Sequence, residues 1–321
     1  MSAVAEVLAV PGLSAYLDAV EERLRETVSW ADGAVADAGA DTLASGGKRL
    51  RPMLVYLCAP VSGRGHPALV TAGCSVELVH MATLVHDDQI DAAPLRRGRP
   101  TVWRSRGPLV STAAGDYLFA RAFAALTGTG DMGAVTILSD ACLSLAQGEI
   151  LQREQSGDPA TTPEQYLERC RLKTGRLFSA AALLGGRMGG LPLPETDRMG
   201  VFALSLGLAF QIADDVLDCD GDPDTTGKAL GTDLLDGTVT LPLLLGAGRD
   251  PEVAAVIRRG AAPADVLPTL ARVARSGAVR DARAEAGRHA AAALAELETL
   301  DGRIDAAALR AVVRGAVDRR A

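Results

Sequence analysis

Apolar positions recur along this chain every three or four residues, broken by short polar stretches rich in Gly and Pro, and that spacing predicts helices over most of its length. Between Ser14 and Ala38, Leu17, Val20, Leu24 and Val28 share one stripe, with Glu21, Glu22 and Arg25 on the solvated side. After the basic turn SGGKRLRP, the loop Val61 to Pro67 (VSGRGHP) leads into an apolar helical run that ends in VHDDQID. GRPTVW (Gly98 to Trp103) and then GPL interrupt the pattern, and helix is expected again from Ser111. Asp140 to Gln155 reads as an amphipathic segment bearing Gln147, Glu149 and Gln152, and Pro163 and Glu164 open a helix that continues through RLKTGRLFSAAALLGG. Val201 to Ala213 reads as buried helix, and further helices are expected near Ala264 to Arg275, Ala278 to Leu300 and Asp305 to Asp318. The expected class is all-α, with residues 1–321 forming one large helical domain.

Composition narrows the picture. An apolar content of 48% supplies a substantial core, but only 3% of residues are aromatic, so that core must consist mostly of Ala, Leu and Val, which suits close helix packing. A net charge of -7 argues against nucleic-acid binding, which draws on a basic surface. The five cysteines (Cys58, Cys74, Cys142, Cys170, Cys219) are scattered singly and without metal-type spacing, so reduced thiols and no zinc are expected. MSAVAEVLAVPGL carries Glu6 and no basic leader, unlike a signal peptide, and a cytoplasmic location is expected. The apolar run Val201 to Ala213 is shorter than the roughly 20 residues that cross a bilayer, although transient contact with a membrane surface is compatible with it. Of the 33 basic residues only Lys48, Lys173 and Lys228 are lysines, and a compact ammonium used so sparingly suits a point charge set against phosphate.

Candidate chemistry concentrates in two acidic segments. Asp87, Asp88 and Asp91 close the first apolar helix and are followed by Arg96 and Arg97. Asp87 and Asp91 lie one helical turn apart, with His80 on the same stripe two turns earlier. An isolated Asp pair on a helix is ordinarily a solvated face. Here the construction recurs, because Asp214, Asp215 and Asp218 close a second apolar helix, with Lys228 further along. Gly46 and Gly47 before Lys48, Arg49 and Arg51 at the start of a helix read either as an anion site or as an exposed basic turn; the Walker loop does not fit, since Arg49 follows Lys48. Lys173 and Thr174 fall midway along an apolar surface, where the lysine needs a counter-anion or a route to water. Asp116 reads as a supporting partner or a cap. The alternating acids from Asp218 to Asp224 fail as a calcium loop, with Pro223 in place of glycine and Ala229 in place of glutamate. All-oxygen carboxylate sets favour a hard ion such as Mg²⁺, several of which would bridge one diphosphate between the two triads, while Lys48, Arg51, His80 and Arg97 could hold a second anion.

GGKRLRP, ELVHMATLVHDDQIDAAPLRRGRPT, LKTG and FQIADDVLD followed by TGKALGTDL resemble, in the same order, the motifs of the trans-polyprenyl diphosphate synthases of the isoprenoid synthase superfamily, over roughly Leu43 to Leu245. The resemblance implies a bundle of long antiparallel helices around a central cavity, and a homodimer. It further implies that Asp87, Asp88, Asp91, Asp214, Asp215 and Asp218 position Mg²⁺ on an allylic diphosphate. Arg96, Lys173, Thr174, Gln211 and Lys228 would contact that diphosphate, and Lys48, Arg51, His80 and Arg97 would hold isopentenyl diphosphate. Thr238 departs from the pattern, since the family often has a lysine there. Family members making short products carry an aromatic just before the first acidic motif; Ala82 and Thr83 are small, so a long-chain product beyond twenty carbons is expected rather than a farnesyl or geranylgeranyl one. A terpene cyclase is disfavoured by the complete second triad and the scarcity of aromatics, and a non-catalytic partner subunit by the completeness of both triads.

Overall fold

A computed structural model describes residues 3–29, 33–221, 230–298, 300 and 302–318. Among them the chain runs through α1 (Ala3–Leu8), α2 (Leu13–Val28), α3 (Ala34–Ala44), α4 (Leu50–Leu57) and α5 (Ala68–Ile90). A two-stranded hairpin follows, β1 (Leu95–Arg96) and β2 (Arg99–Pro100), then α6 (Val102–Arg106), α7 (Pro108–Thr127), α8 (Met132–Gln155) and α9 (Pro163–Cys170). A π-helical turn at Arg171–Gly175 joins α9 to α10 (Arg176–Gly189), followed by α11 (Leu193–Asp220) and α12 (Thr232–Leu235). The chain closes with α13 (Leu241–Ala247), α14 (Pro251–Arg259), α15 (Val266–Arg275), α16 (Ala278–Leu297) and α17 (Ala306–Val317). The all-α expectation holds, and the last three helices fall within a few residues of the expected segments.

Capping chemistry sets the starts of the long helices. Asp131 accepts from the Ala134 N–H at 3.1 Å and starts α8 eight residues before the expected Asp140, because the apolar spacing is weak where the cap is strong. Thr162 and Gln165 form a reciprocal capping box ahead of Pro163. Pro108 at the first position of α7 places that start ahead of the expected Ser111. The single helix expected from Ser14 to Ala38 is in fact α2 and α3: the Ser29 hydroxyl donates back to the Arg25 carbonyl at 2.8 Å, and Gly33, at φ 102°, precedes α3.

Two apolar cores hold the bundle. The larger joins α2, α4, α5, α7, α8, α10 and the first half of α11. The smaller gathers Tyr166, Ile212, Val216, Leu243, Val253 and Val273 around the end of α11. With few aromatics the helices approach closely, and a Cβ on Gly185 of α10 would lie 2.2 Å from the Val55 carbonyl oxygen of α4, so alanine there would force the two backbones apart. All five cysteines are free thiols, four of them buried.

The run Val201 to Ala213 proves to be part of a 28-residue helix, and α5, α8 and α11 are all long and apolar enough to cross a membrane by length and composition. In α5 and α11 most of the apolar window is buried inside the protein, 67% and 61%, whereas only 28% is buried in α8. The helices α5 and α8 each pack on α7 and on α10 and make few contacts with one another, and polar side chains meet across their C-terminal ends. The first acidic motif stands in the polar cleft between these ends, facing Arg153 and Lys173.

Candidate active site

Helix α5 ends where its acids begin. Asp87 and Asp88 occupy its last turn and Asp91 its C-cap, so all three leave the helix at one end. Each has a cation. Lys173 Nζ lies 3.4 Å from Asp87, Arg96 Nη2 lies 2.7 Å from Asp88, and Arg153 of α8 donates to Asp91. Burial pushes the Asp87 carboxyl up to about 6 against the pull of Lys173, with Glu149 and Asp91 pushing the same way. Asp88 is also raised by burial, tempered by its bonds to Arg96.

Lys173 and Thr174 lie in the π-helical turn rather than in regular helix, a local widening that often accompanies function. The Lys173 ammonium bonds Glu149 at 2.5 Å and Gln152 at 3.2 Å besides facing Asp87. The next residue turns the other way: Thr174 Oγ1 donates to Gln211 Oε1 at 2.8 Å, and Gln211 Nε2 donates to Asp215 at 2.7 Å. Asp87 and Asp215 are thus joined through Lys173, Thr174 and Gln211, and the two acidic motifs face the same cleft. Asp215 is buried and also accepts from the Tyr166 hydroxyl at 2.6 Å; burial raises its carboxyl, the two donors pull it back, and Asp214 pushes it up.

At the end of α11, Asp218 accepts from the backbone N–H groups of Thr232 and Asp233 at 3.0 and 3.2 Å. This folds α12 back and half-buries Asp233, whose carboxyl is driven well above the usual range by desolvation and then by Asp215, Asp218 and Asp214. Thr238 donates its N–H to the Asp233 carbonyl at 2.8 Å. Asp236, raised by burial and by the charge of Asp91, brings this segment up to the first motif. Lys228, and Pro223, Asp224 and Ala229 of the rejected calcium loop, lie outside the described residues.

A separate cationic region forms where the GGKR turn meets the β-hairpin. Lys48 and Arg49 precede α4 rather than opening it, because Arg49 has φ 48°. Arg97 (φ 51°) and Gly98 (φ 76°) form the two-residue turn of the hairpin, the positive-φ pair that twisted strands favour. A Cβ on Gly47 would lie 3.1 Å from both the Arg49 and Arg97 guanidinium groups, so the two segments converge there. Arg49 is held by Glu21 at 2.9 Å and Glu77 at 3.0 Å. Arg51 is half-buried over the Phe178 ring, 5.1 Å from its centroid; its buried Nε has no protein partner, and desolvation draws it down to about 10, which leaves it charged at neutral pH. Burial, and then Arg51, Arg97, Arg96 and Arg49, hold the His80 imidazole well below its usual range, so it stays neutral. An anion would relieve this crowding of positive charge.

The structure thus brings the first acidic motif, Lys173, Thr174, Gln211 and the second motif to one cleft, and Arg51, His80 and Arg97 to a neighbouring cationic region, with Lys48 in the turn that precedes α4. Asp116 is no cap: it sits mid-helix in α7, 3.6 Å from His86. Ala82 has no exposed surface, whereas Thr83 remains partly exposed on the turn below Asp87. Residues not singled out from sequence include Arg153, Tyr166, Asp233 and Asp236; of these Asp233 lay in a quoted motif, TGKALGTDL, and Asp236 two residues before Thr238 in DGTVTLP. Among the described residues no three acidic, histidine or cysteine side chains already converge as a coordination set. An ion that keeps its waters and bridges to phosphate needs no such cage, and the oxygen-only, charge-crowded carboxylates fit one.

Comparison with known proteins follows the same lines. The family model for polyprenyl synthetase matches residues 34–267. Heptaprenyl diphosphate synthase component 2 of Geobacillus stearothermophilus is 36% identical over 293 residues, which cover 90% of this chain and 91% of that protein. The crystal structure of a decaprenyl diphosphate synthase from Rhodobacter capsulatus superposes with a TM-score of 0.90 at 34% identity, covering 97% of this chain and 98% of that one. A polyprenyl synthase from Caulobacter crescentus CB15, complexed with calcium and isoprenyl diphosphate, gives 0.89 at 35% identity over 99% and 98% of the two chains. With a family model spanning most of the chain and relatives matched along nearly all of theirs, the chain belongs to the polyprenyl synthetase family.

Proposed function

We propose that this protein is a Mg²⁺-dependent trans-prenyltransferase that condenses isopentenyl diphosphate with an allylic diphosphate and releases a long-chain polyprenyl diphosphate. The observation that carries this reading is the side-chain link from Asp87 through Lys173, Thr174 and Gln211 to Asp215, beside a separate arginine-rich region. It provides for two anionic substrates side by side. The carboxylates of Asp87, Asp88, Asp91, Asp214, Asp215 and Asp218 would hold the metal ions; when bound, Mg²⁺ supplies Lewis-acid neutralisation of the departing diphosphate. Arg96, Lys173, Thr174 and Gln211 would grip the allylic diphosphate, and Lys48, Arg51, Arg97 and the neutral His80 would orient isopentenyl diphosphate. Cations fixed around the leaving group stabilise the charge that develops as the allylic C–O bond breaks. The isopentenyl double bond attacks the allylic carbon, and loss of a proton to the released diphosphate restores a double bond. No protein nucleophile is needed.

Small residues before the first motif, and the names of the heptaprenyl and decaprenyl relatives, support the long product. Pairing with a second copy is supported by the outer side of α7 and α8, where Leu109, Met132, Leu143 and Ile150 are 82%, 66%, 63% and 59% exposed. The "component 2" in the Geobacillus relative's name favours a second possibility, that a different chain covers this side.

The test is to incubate the purified protein with Mg²⁺, isopentenyl diphosphate and farnesyl diphosphate and chromatograph the products. Chains beyond twenty carbons are expected. A hydrocarbon formed from the allylic substrate alone would replace this reading with a cyclase, and turnover only after a second chain is added would make the protein one component of a heteromer.

A further inference from the structure

Among the described residues the cations paired with the first acidic motif are Lys173, Arg96 and Arg153, and Arg153 is the one that the sequence motifs do not account for. It stands on the last turns of α8, facing the end of α5 across the cleft. Its Nη2 donates to Asp91, and its Nε donates at 3.1 Å to Glu149, one turn earlier on the same helix. Glu149 is the carboxylate that also holds Lys173. Two carboxylates from two helices, Asp91 and Glu149, thus share one guanidinium, and the charge of Asp236 is felt at Asp91 from the α12 side. Arg153 is 44% exposed and Asp91 35%, so both are open to exchange with solvent ions. An exposed ion pair of this kind is weak, worth well under the direct bond of a divalent cation to a carboxylate. Arginine is also always charged, so the pair does not dissolve by losing its proton.

We propose that Arg153 is a positioning residue that occupies Asp91 while the first motif is without metal and must be displaced when a divalent cation loads there. This inference rests on the prenyltransferase reading for its biological meaning, but the displacement itself can be measured without any substrate. Lys173 and Arg96 stand on Asp87 and Asp88 in a similar way, but both are already assigned to the diphosphate. Arg153 lies one helical turn beyond Glu149 and stays tethered to it, so on release its charge remains at the rim of the cleft. It thereby offsets repulsion between Asp91 and Glu149 without competing permanently for Asp91.

The experiment titrates Mn²⁺ into metal-stripped, full-length protein without diphosphates and follows free Mn²⁺ by electron paramagnetic resonance, for wild type, Arg153→Gln and Arg153→Lys. Arg153→Gln should bind the first ion roughly two- to fivefold more tightly, the gain expected from no longer having to break one exposed ion pair. Arg153→Lys, which keeps the charge, should stay close to wild type. Far-UV circular dichroism on each variant checks that the bundle is intact, and Arg153→Lys alone still decides the matter if the glutamine variant does not fold, since lysine must then leave the affinity unchanged. Unchanged or weaker binding in Arg153→Gln would overturn the proposal, the latter showing that the guanidinium supports the metal site instead of occupying it. Condensation by the wild type is scored separately: its absence removes the proposed function and leaves the Mn²⁺ result to judge Arg153 on its own.

Discussion

Gly148 is the point at which a single methyl group should separate catalysis from folding. It lies on α8 against the π-helical turn, and a Cβ there would sit 2.8 Å from the Lys173 backbone nitrogen, 3.0 Å from the Lys173 Cβ and 3.1 Å from the Leu172 Cβ. Relief to an ordinary contact of 3.4 Å requires the two segments to part by about 0.6 Å, and because the nearest atom is backbone no rotamer change can absorb it. Overpacking of this kind costs about 1–3 kcal/mol, partly offset by the better helix propensity of alanine, worth about 1 kcal/mol. Gly148→Ala should therefore lower Tm by no more than a few degrees. The same shift carries Lys173 away from Asp87 and Thr174 away from Gln211, and misplacement by a good part of an ångström at a reacting centre costs on the order of tenfold to a hundredfold in rate. Differential scanning fluorimetry and steady-state condensation kinetics measure the two effects, with Gly287→Ala as control, since a Cβ at Gly287 on α16 would meet nothing within 4 Å. Wild-type kcat/KM in Gly148→Ala would refute the claim that the close approach of α8 is what positions Lys173.

Thr83→Phe should shorten the product, because an aromatic about 6 Å below Asp87 leaves room for only one or two isoprene units at roughly 5 Å each; Ala82→Phe, at a position with no free space, should instead lower Tm. Unchanged product length in Thr83→Phe would remove that residue from the cavity wall. The metal-free protein should lose stability as pH rises from about 4 to about 6, because folding holds a proton on Asp87 that the unfolded chain releases near 3.8; a shift to about 6 corresponds to about 3 kcal/mol. Over the same range metal binding should tighten, and denaturation curves and Mn²⁺ titrations between pH 4 and pH 8 check both signs. Tyr166→Phe removes the 2.6 Å bond to Asp215 and should drive that carboxyl still higher, moving the acid limb of the kcat–pH profile upward; an unmoved limb would show that Gln211 alone suffices.

The apolar spacing sufficed to read the class, the helices of the C-terminal third and both acidic helix ends, because burial of an apolar stripe is a repeated, local signal. It did not reveal the hairpin at Leu95–Arg96 and Arg99–Pro100, whose strands of two residues each are too short to show a period of two. Nor did it separate α2 from α3, where a serine hydroxyl and a glycine backbone end the pattern without disturbing its periodicity. Asp233 and Asp236 were legible as acids but not as members of the site, since what brings them in is a pair of backbone N–H groups on Asp218. Arg153 looks from sequence like any solvated arginine four residues from a glutamate, and only the sparse packing between α5 and α8 shows what it reaches.

The scarcity of lysine acquires a geometric sense at one of its three positions. An ammonium has three donors around a single atom, and Lys173 Nζ has three acceptors around it, Glu149 at 2.5 Å, Gln152 at 3.2 Å and Asp87 at 3.4 Å. A guanidinium spreads its five donors outward in a plane, as when Arg153 splits its donors between Asp91 and Glu149, and cannot bring three of them to one point among three acceptors. The π-helical turn supplies what remains of the requirement. By widening the helix at Arg171–Gly175 it directs Lys173 to the first acidic motif and Thr174, the adjacent residue, to the Gln211 that supports the second. Two motifs more than a hundred residues apart are thereby coupled through a single peptide unit, a link that follows from the backbone at that turn more than from either motif's own sequence.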